Sequence, residues 1–289
     1  MSEEEAIQIL EKSGDYKILK KLKSLDIQTT KDDGSLLGVI VDVETTGLNF
    51  DEDKIIELGM IVFRFNRDGQ VLEVVEEVDM FEDPGISIPP EITKLTGITE
   101  EMVHGKKIYE QKVRDILSTS VLVIAHNAGF DRRFLEQRLS EFEKIHWACS
   151  QKQVPWKSEG FSGVKQEYIA YNFHFFYEAH RAIDDCRALL HIMTRELLES
   201  KLLVLKVLLE NARKPSFKIS ALNAPFDKKD HLKKRGYRWD SENRYWATEV
   251  NEDELEAENQ FLCDEIYISK DLSLPTKKIT GIDRFSVRA

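Results

Sequence analysis

The stretch that most limits what this chain can fold into is LLGVIVDV at 36–43, an unbroken apolar run ending in an acid. Such a run, too short for a helix of its own and rich in Val and Ile, reads as a buried strand. IIELGMIVFRF at 55–65 reads as a second strand with partial alternation, and after the turn signal NRDGQ a third follows, VLEVVEEVDMF at 71–81. These predict a meander of three strands. Downstream the pattern changes. SIPPEITKLTGITEEMV is broken by Pro89 and Pro90 and then turns helical, and KIYEQKVRDILSTS supplies an amphipathic helix. VLVIAH at 121–126 is a short buried strand. FDRRFLEQRLSEF reads as a helix with Phe134, Leu135, Leu139 and Phe142 on its inner face, and RAIDDCRALLHIMTREL at 181–197 as another. Strands first, then strand alternating with helix, imply an α/β architecture: a mixed sheet with helices on both faces.

The 289 residues allow more than one domain. Residues 1–34 are expected to form a helical N-terminal extension with one or two amphipathic helices, closed by the polar linker TTKDDGS. Residues 35–198 form the main domain. Residues 199–289 comprise a linking helix, a small α+β module that is basic and aromatic, and a tail. The acidic N-terminus MSEEEAIQIL lacks the basic start of a secretory signal, and LLVLKVLL at 202–209 is short and interrupted by Lys206, so neither export nor membrane insertion is expected. Cys149, Cys186 and Cys263 are odd in number and far apart, which points to no disulfide framework and no zinc cluster, and to a cytoplasmic setting. A net charge of −11 argues against a protein that merely coats nucleic acid, but not against a metal-dependent enzyme acting on it.

Residues i and i+2 of a strand share a face, so Asp42 and Glu44 project side by side. Two like charges so placed raise each other's pKa, and partial burial adds to the penalty. A hard divalent cation such as Mg²⁺ or Mn²⁺ removes both effects. Taken alone, the pair is better explained as strand-end acids near a turn. AHNAGFDRRFL then places Asp131 in the first turn of a helix, four residues before core-facing Leu135, so it points inward. EAHRAIDDCRALL offers His180, Asp184 and Asp185 at another helix start; Asp185 shares a face with Ala182, Ala188 and Leu189, while Asp184 can pair with Arg181 or Arg187 at the surface.

In order, D-x-E-T-T-G-L, H-N-A-x-F-D and H-x-A-x-x-D resemble the three motifs of the DEDDh, or DnaQ-like, 3′→5′ exonucleases, with IIELG around Glu57 and LTGITEEMV around Thr96 as accessory matches. The resemblance spans about residues 35–197 and implies an RNase H-like exonuclease fold. It also implies a site in which Asp42, Glu44, Asp131 and Asp185 hold two divalent cations, Mg²⁺ or Mn²⁺, and His180 is the general base. Thr45, Thr46 and Leu48 become candidates for contacts with a 3′-terminal nucleotide, with a plain turn as the equal alternative. Asn127 either orients the second-motif loop toward substrate or caps its helix. The implied activity is hydrolysis at the 3′ ends of DNA, single-stranded or frayed, with release of nucleoside 5′-monophosphates. Competing readings are a 3′→5′ exoribonuclease, a non-catalytic nucleic-acid-binding subunit and a phosphodiesterase for small nucleotides.

Between Arg213 and Arg238 nine Lys or Arg residues face two Asp, interleaved with Phe217, Phe226, Tyr237 and, just beyond, Trp239, Tyr245 and Trp246. Cations and aromatic faces are the ingredients of single-strand binding; a small core of Tyr237, Trp239 and Trp246 is the competing reading. DLSLP at 271–275 is similar to peptides that bind bacterial sliding clamps but has Asp271 where Gln is usual, so neither a clamp nor a polymerase partner is predicted from it.

Overall fold

The computed structural model describes residues 1–23, 34–269 and 274–289. Most of the expected linker and Asp271 to Ser273 of the clamp-like peptide lie outside the described residues. The chain divides into two compact units, Met1–Asn211 and Ala212–Ala289.

In the first unit the strands are β1 (Lys20–Lys21), β2 (Leu36–Thr45), β3 (Ile55–Phe65), β4 (Val71–Phe81), β5 (Leu122–Ala125), β6 (His146–Cys149) and β7 (Phe175–Phe176). The helices are α1 (Glu3–Ser13), α2 (Pro90–Thr96), α3 (Glu100–Val103), α4 (Glu110–Thr119), α5 (Ala128–Arg138), α6 (Ser150–Gln153), α7 (Gln166–Asn172), α8 (Ala182–Met193) and α9 (Val204–Arg213), the last running past the unit boundary. Five strands form one mixed sheet in the order β4-β3-β2-β5-β6. The meander β2-β3-β4 is antiparallel, and β2, β5 and β6 run parallel. Val39, Ile40 and Val41, which alternate in direction, are all fully buried, so both faces of β2 are covered. Helix α8 packs across β2, β3 and β4, while α4 and α5 pack on β2. This is the mixed sheet with helices that an RNase H-like exonuclease fold requires.

Three local expectations are corrected. Among its described residues the extension holds one helix, α1, which stops where Gly14 takes a left-handed conformation (φ 79°). The residues beyond it, read as a second helix, include β1, which pairs in parallel with β7; the Lys20 amide donates to His174 O at 3.0 Å and the Leu22 amide to Phe176 O at 2.8 Å. The helix carrying Asp131 ends at Arg138, where Leu139 turns extended, and Phe142 is buried from a separate 3₁₀ turn. The short strands β6 and β7 are too brief to produce a periodic signal.

One glycine positions the site. Gly59 lies opposite Asp42 on β3, and a Cβ there would sit 2.5 Å from the Ala182 carbonyl carbon. Only glycine lets the start of α8 come down so close to the sheet beside Asp42.

The second unit is an antiparallel sheet in the order β11-β8-β10-β9, made of β8 (Ser216–Ala221), β9 (Arg238–Asp240), β10 (Tyr245–Asn251) and β11 (Thr276–Ile279), with helices α10 (Lys229–Lys234) and α11 (Leu255–Phe261). Its core joins Ile219, Ala221, Leu232, Tyr237, Leu262 and Ile266.

Candidate active site

Strand β2 persists through Asp42 and Glu44, so both carboxylates project from the same face. Helix α8 brings Asp185 to that face: Asp42, Glu44 and Asp185 each offer a carboxylate oxygen, all within 4.8 Å of one another. Asp131 arrives from α5 by a different device. Parallel pairing of β2 with β5 ends at Ile40, and the Val43 amide beyond it donates to Asp131 Oδ1 at 3.3 Å. A buried amide without a strand partner thus fixes a buried acid.

The electrostatics of this group are one-sided. Asp42, Glu44 and Asp185 are partly open to solvent, yet burial of their carboxyl groups pushes all of them up. Asp42 is held well above the usual carboxylate range by burial, then by Asp131, Asp185, Glu44 and Glu57. Burial and the charges of Asp185, Glu57 and Asp131 raise Glu44 to about 8. Asp131 rises to about 7 through burial, against the lowering effect of its amide hydrogen bonds. Asp185 rises to about 6, again through burial, with hydrogen bonds and His180 acting in the opposite direction. The donors are all carboxylate oxygens, and a divalent cation bound there would relieve both the desolvation and the mutual repulsion. The residues therefore fit such an ion.

Asp185 is oriented from both sides. Tyr177 Oη donates to Oδ1 at 2.9 Å, and the His180 amide donates to Oδ2 at 2.8 Å. Gln166 Nε2 donates in turn to Tyr177 Oη at 3.0 Å and to the Asp185 carbonyl at 2.9 Å. His180 reaches this position in a left-handed conformation, φ 69°, which few side chains adopt. The segment leading to it is also held by β1, through the β7 pairing and an exposed ion pair of Lys21 with Glu178 at 3.1 Å.

Glu57 proves to be a structural anchor. It is fully buried, directly opposite Glu44 on β3. Its Oε1 accepts from Arg181 Nε at 3.0 Å and Nη2 at 2.7 Å, and its Oε2 accepts from the Ala182 amide at 2.9 Å. A carboxylate from β3 thereby caps the first turn of α8, where the chain offers no side-chain cap of its own. Of the two arginines within reach, Asp184 pairs with Arg187 at 2.8 Å, while Arg181 pairs with Glu57.

The remaining candidates divide sharply. Thr45 Oγ1 donates to Gly47 O at 2.6 Å; Thr46 Oγ1 donates to Asp53 Oδ1 at 2.8 Å and accepts from the Lys54 amide at 3.1 Å. Both hydroxyls therefore complete the turn. That turn also needs Gly47, since a Cβ there would meet Asp53 Oδ2 at 2.5 Å. Leu48 by contrast stands 83% exposed. Asn127 occupies the cap position of α5 but its side chain makes no capping hydrogen bond and is exposed, which corrects the capping reading. His126 bridges Ser150 Oγ and Val164 O, both at 2.7 Å; since a carbonyl only accepts, Nε2 carries the proton and Nδ1 accepts from the serine. Burial lowers it to about 4, so it is a neutral strut. Sequence reasoning did not single out Tyr177 or Gln166; neither belongs to a periodic or acidic pattern that would mark it.

A family profile described as Exonuclease (RNase_T) matches residues 39–193, more than half of the chain. A DNA polymerase III PolC-type protein of Clostridium perfringens is 35% identical over 162 residues, 54% of this chain but 11% of that protein. The DNA polymerase III subunit epsilon of Treponema pallidum is 30% identical over 162 residues, covering 53% of this chain and 73% of that one. Among solved structures, the nuclease domain of 3′hExo, a DEDDh family member bound to rAMP, aligns with 60% of this chain and 97% of its own at 19% identity and a TM-score of 0.46. Read with its three motifs in order, the family match shows that this chain belongs to the exonuclease (RNase_T) family, of the DnaQ-like kind.

Proposed function

We propose that the chain is a 3′→5′ exonuclease that removes nucleotides from the 3′ ends of DNA, preferring single-stranded or frayed ends, and that it uses two divalent cations, Mg²⁺ or Mn²⁺. The observation that carries this reading is the convergence of Asp42, Glu44 and Asp185 within 4.8 Å, with Asp131 beside them. DNA is chosen over RNA because the relatives matched are DNA polymerase III proteins.

In this reading Asp42, Glu44, Asp131 and Asp185 would hold the ions. When bound, the ions supply Lewis acidity toward the scissile phosphate, a lowered pKa for the attacking water and stabilisation of the departing oxygen. The protein's own residues do the rest. Tyr177 and the His180 amide keep the Asp185 carboxylate oriented. The His180 ring takes the proton from water as its oxygen attacks phosphorus, the bond from phosphorus to the 3′ oxygen breaks, and the released 3′ hydroxyl acquires a proton from solvent. The product is a nucleoside 5′-monophosphate. Leu48, held out by its turn, lies against the terminal base, and the exposed Asn127 side chain contacts the same nucleotide. Thr45 and Thr46 contribute through the backbone of the turn, their hydroxyls being engaged within it.

Incubation with Mg²⁺ or Mn²⁺ and 5′-labelled single-stranded DNA, blunt duplex DNA and RNA tests the proposal. A ladder of 3′-shortened products is expected on single-stranded DNA, slower on the duplex and absent in EDTA. A ladder on RNA alone would overturn the DNA assignment, and no ladder on any substrate would overturn the enzymatic one.

A further inference from the structure

The second unit carries a row of aromatic side chains flanking two lysines that its own fold leaves open. At one end Phe226 is 80% exposed, with Lys229 Nζ 4.2 Å from its ring centre. One helical turn along α10, Lys233 Nζ stands 5.9 Å from the Trp246 ring. Trp246 meets Trp239 edge-on, with ring centres 5.6 Å apart, and Trp239 is 51% exposed at the other end.

The sequence builds this row by simple spacing. Lys229 and Lys233 are i and i+4 on one helix and share a face. Trp246 and Trp239 are directly opposed partners on β10 and β9, so their side chains leave the sheet on the same side. The core of the unit closes elsewhere, around Ile219, Leu232, Tyr237 and Leu262. Trp246 packs against that core only in part, and Trp239 stands beyond it at the edge strand.

Charge narrows the occupant. The ion pairs of the unit use His231, Arg235 and Arg284; among the described residues Lys229 and Lys233 join none. An ammonium over a ring is attracted by the π-face yet keeps its full positive charge. A complementary ligand therefore brings flat π-surfaces for Phe226 and Trp239 and anions at the lysines. An acidic peptide supplies the anions without the planes, and a duplex hides its base faces in the stack. An unpaired polynucleotide supplies both.

We infer that Phe226, Lys229, Lys233, Trp246 and Trp239 form a binding face for single-stranded DNA, with bases stacked on Phe226 and Trp239 and phosphates at the two lysines. The choice of DNA rests on the function proposed above, whereas the single-stranded character rests on this row alone.

The test is equilibrium binding of a fluorescein-labelled oligo(dT) to the full chain in EDTA, by anisotropy across a range of NaCl. Phe226→Ala and Trp239→Ala should each weaken binding about tenfold, as loss of a stacked base does, and Trp239→Phe should retain most of the affinity. Lys229→Gln and Lys233→Gln should each lower the slope of log K against log salt by about 0.7. Thermal midpoints matching the parent chain show that the variants are folded; Phe226, being almost fully exposed, is a change the fold tolerates. Unchanged affinity in both alanine variants overturns the proposal. Tighter binding of a blunt duplex or of poly-glutamate overturns its single-stranded character, and tighter binding of oligo(U) overturns the DNA assignment. Without ions no hydrolysis is expected in EDTA, so failure here leaves the ladder assay standing, and failure there leaves the single-stranded character of this face intact.

Discussion

In the acid cluster of the first unit, carboxylates from one strand and two helices converge with protein closing in around them, whereas the aromatic row of the second unit spaces two ammonium groups along a helix with both ends in solvent. In each region charge of one sign outnumbers the other, but the medium differs. Around Asp42 and Asp131 the effective dielectric is low, so crowding appears as acids that resist ionising. Along α10 water and salt screen the lysines, and the same imbalance persists as a positive surface. The first region is thus expected to respond to divalent ions and pH, the second to ionic strength.

Replacing Asp42, the acid that burial and all its carboxylate neighbours push up, should give the largest effect and the sharpest break in that comparison. Asp42→Asn is expected to lower nuclease turnover about 10³-fold or more, as loss of a central electrostatic group does. It should also raise the thermal midpoint in EDTA, because the cost of burying an acid among other acids is gone; a lowered midpoint would contradict that cost. His180→Ala should lower turnover about 10²-fold by removing the base, while the rise in thermal midpoint on adding Mn²⁺ survives, since His180 holds no ion.

Glu57 and Glu44 repeat the comparison within a single pair of strands. They stand directly opposite each other, but only Glu57 has an arginine bonded to it. Arg181→Ala leaves Glu57 buried without its cation and should destabilise the fold by about 3 kcal/mol in urea denaturation. The effect on a surface pair such as Lys21 with Glu178 should be far smaller.

The pH dependence has a definite sign. Glu44, Asp131 and Asp185 have folded values of about 8, 7 and 6, all above their ordinary range. Raised acids bind protons more tightly in the folded chain, so their contribution is fully present below the unfolded values near pH 4 and is lost as pH rises through 6 to 8. The thermal midpoint in EDTA should therefore fall between pH 5 and pH 8.5, and Mn²⁺ should raise it more at pH 8.5 than at pH 5, with protons released on binding. An equal effect of Mn²⁺ at both values would separate ion binding from this cluster.

Much of the site was legible because its signals are local. Alternation along β2 put Asp42 and Glu44 on one face, and helical spacing turned Asp131 and Asp185 inward. What escaped notice depends on residues distant in the chain. Glu57 and Arg181 are 124 positions apart, so neither pattern nor propensity connects them. Tyr177 and Gln166 gain their role only where α7 and the segment before His180 meet the Asp185 carboxylate. The parallel pairing of β1 with β7 involves two residues on each side, too few to leave a periodic trace.

By itself the sequence determined the strand order of the meander, the helices that carry the acids and the identity of the acids, because hydrophobic period and charge are written residue by residue. Tertiary structure alone decided that Glu57 caps α8, that Thr45 and Thr46 complete a turn while Leu48 faces solvent, and that Trp239 stands outside its unit's core. The reason is physical: burial and hydrogen-bond partnership belong to pairs of groups that only the folded chain brings together.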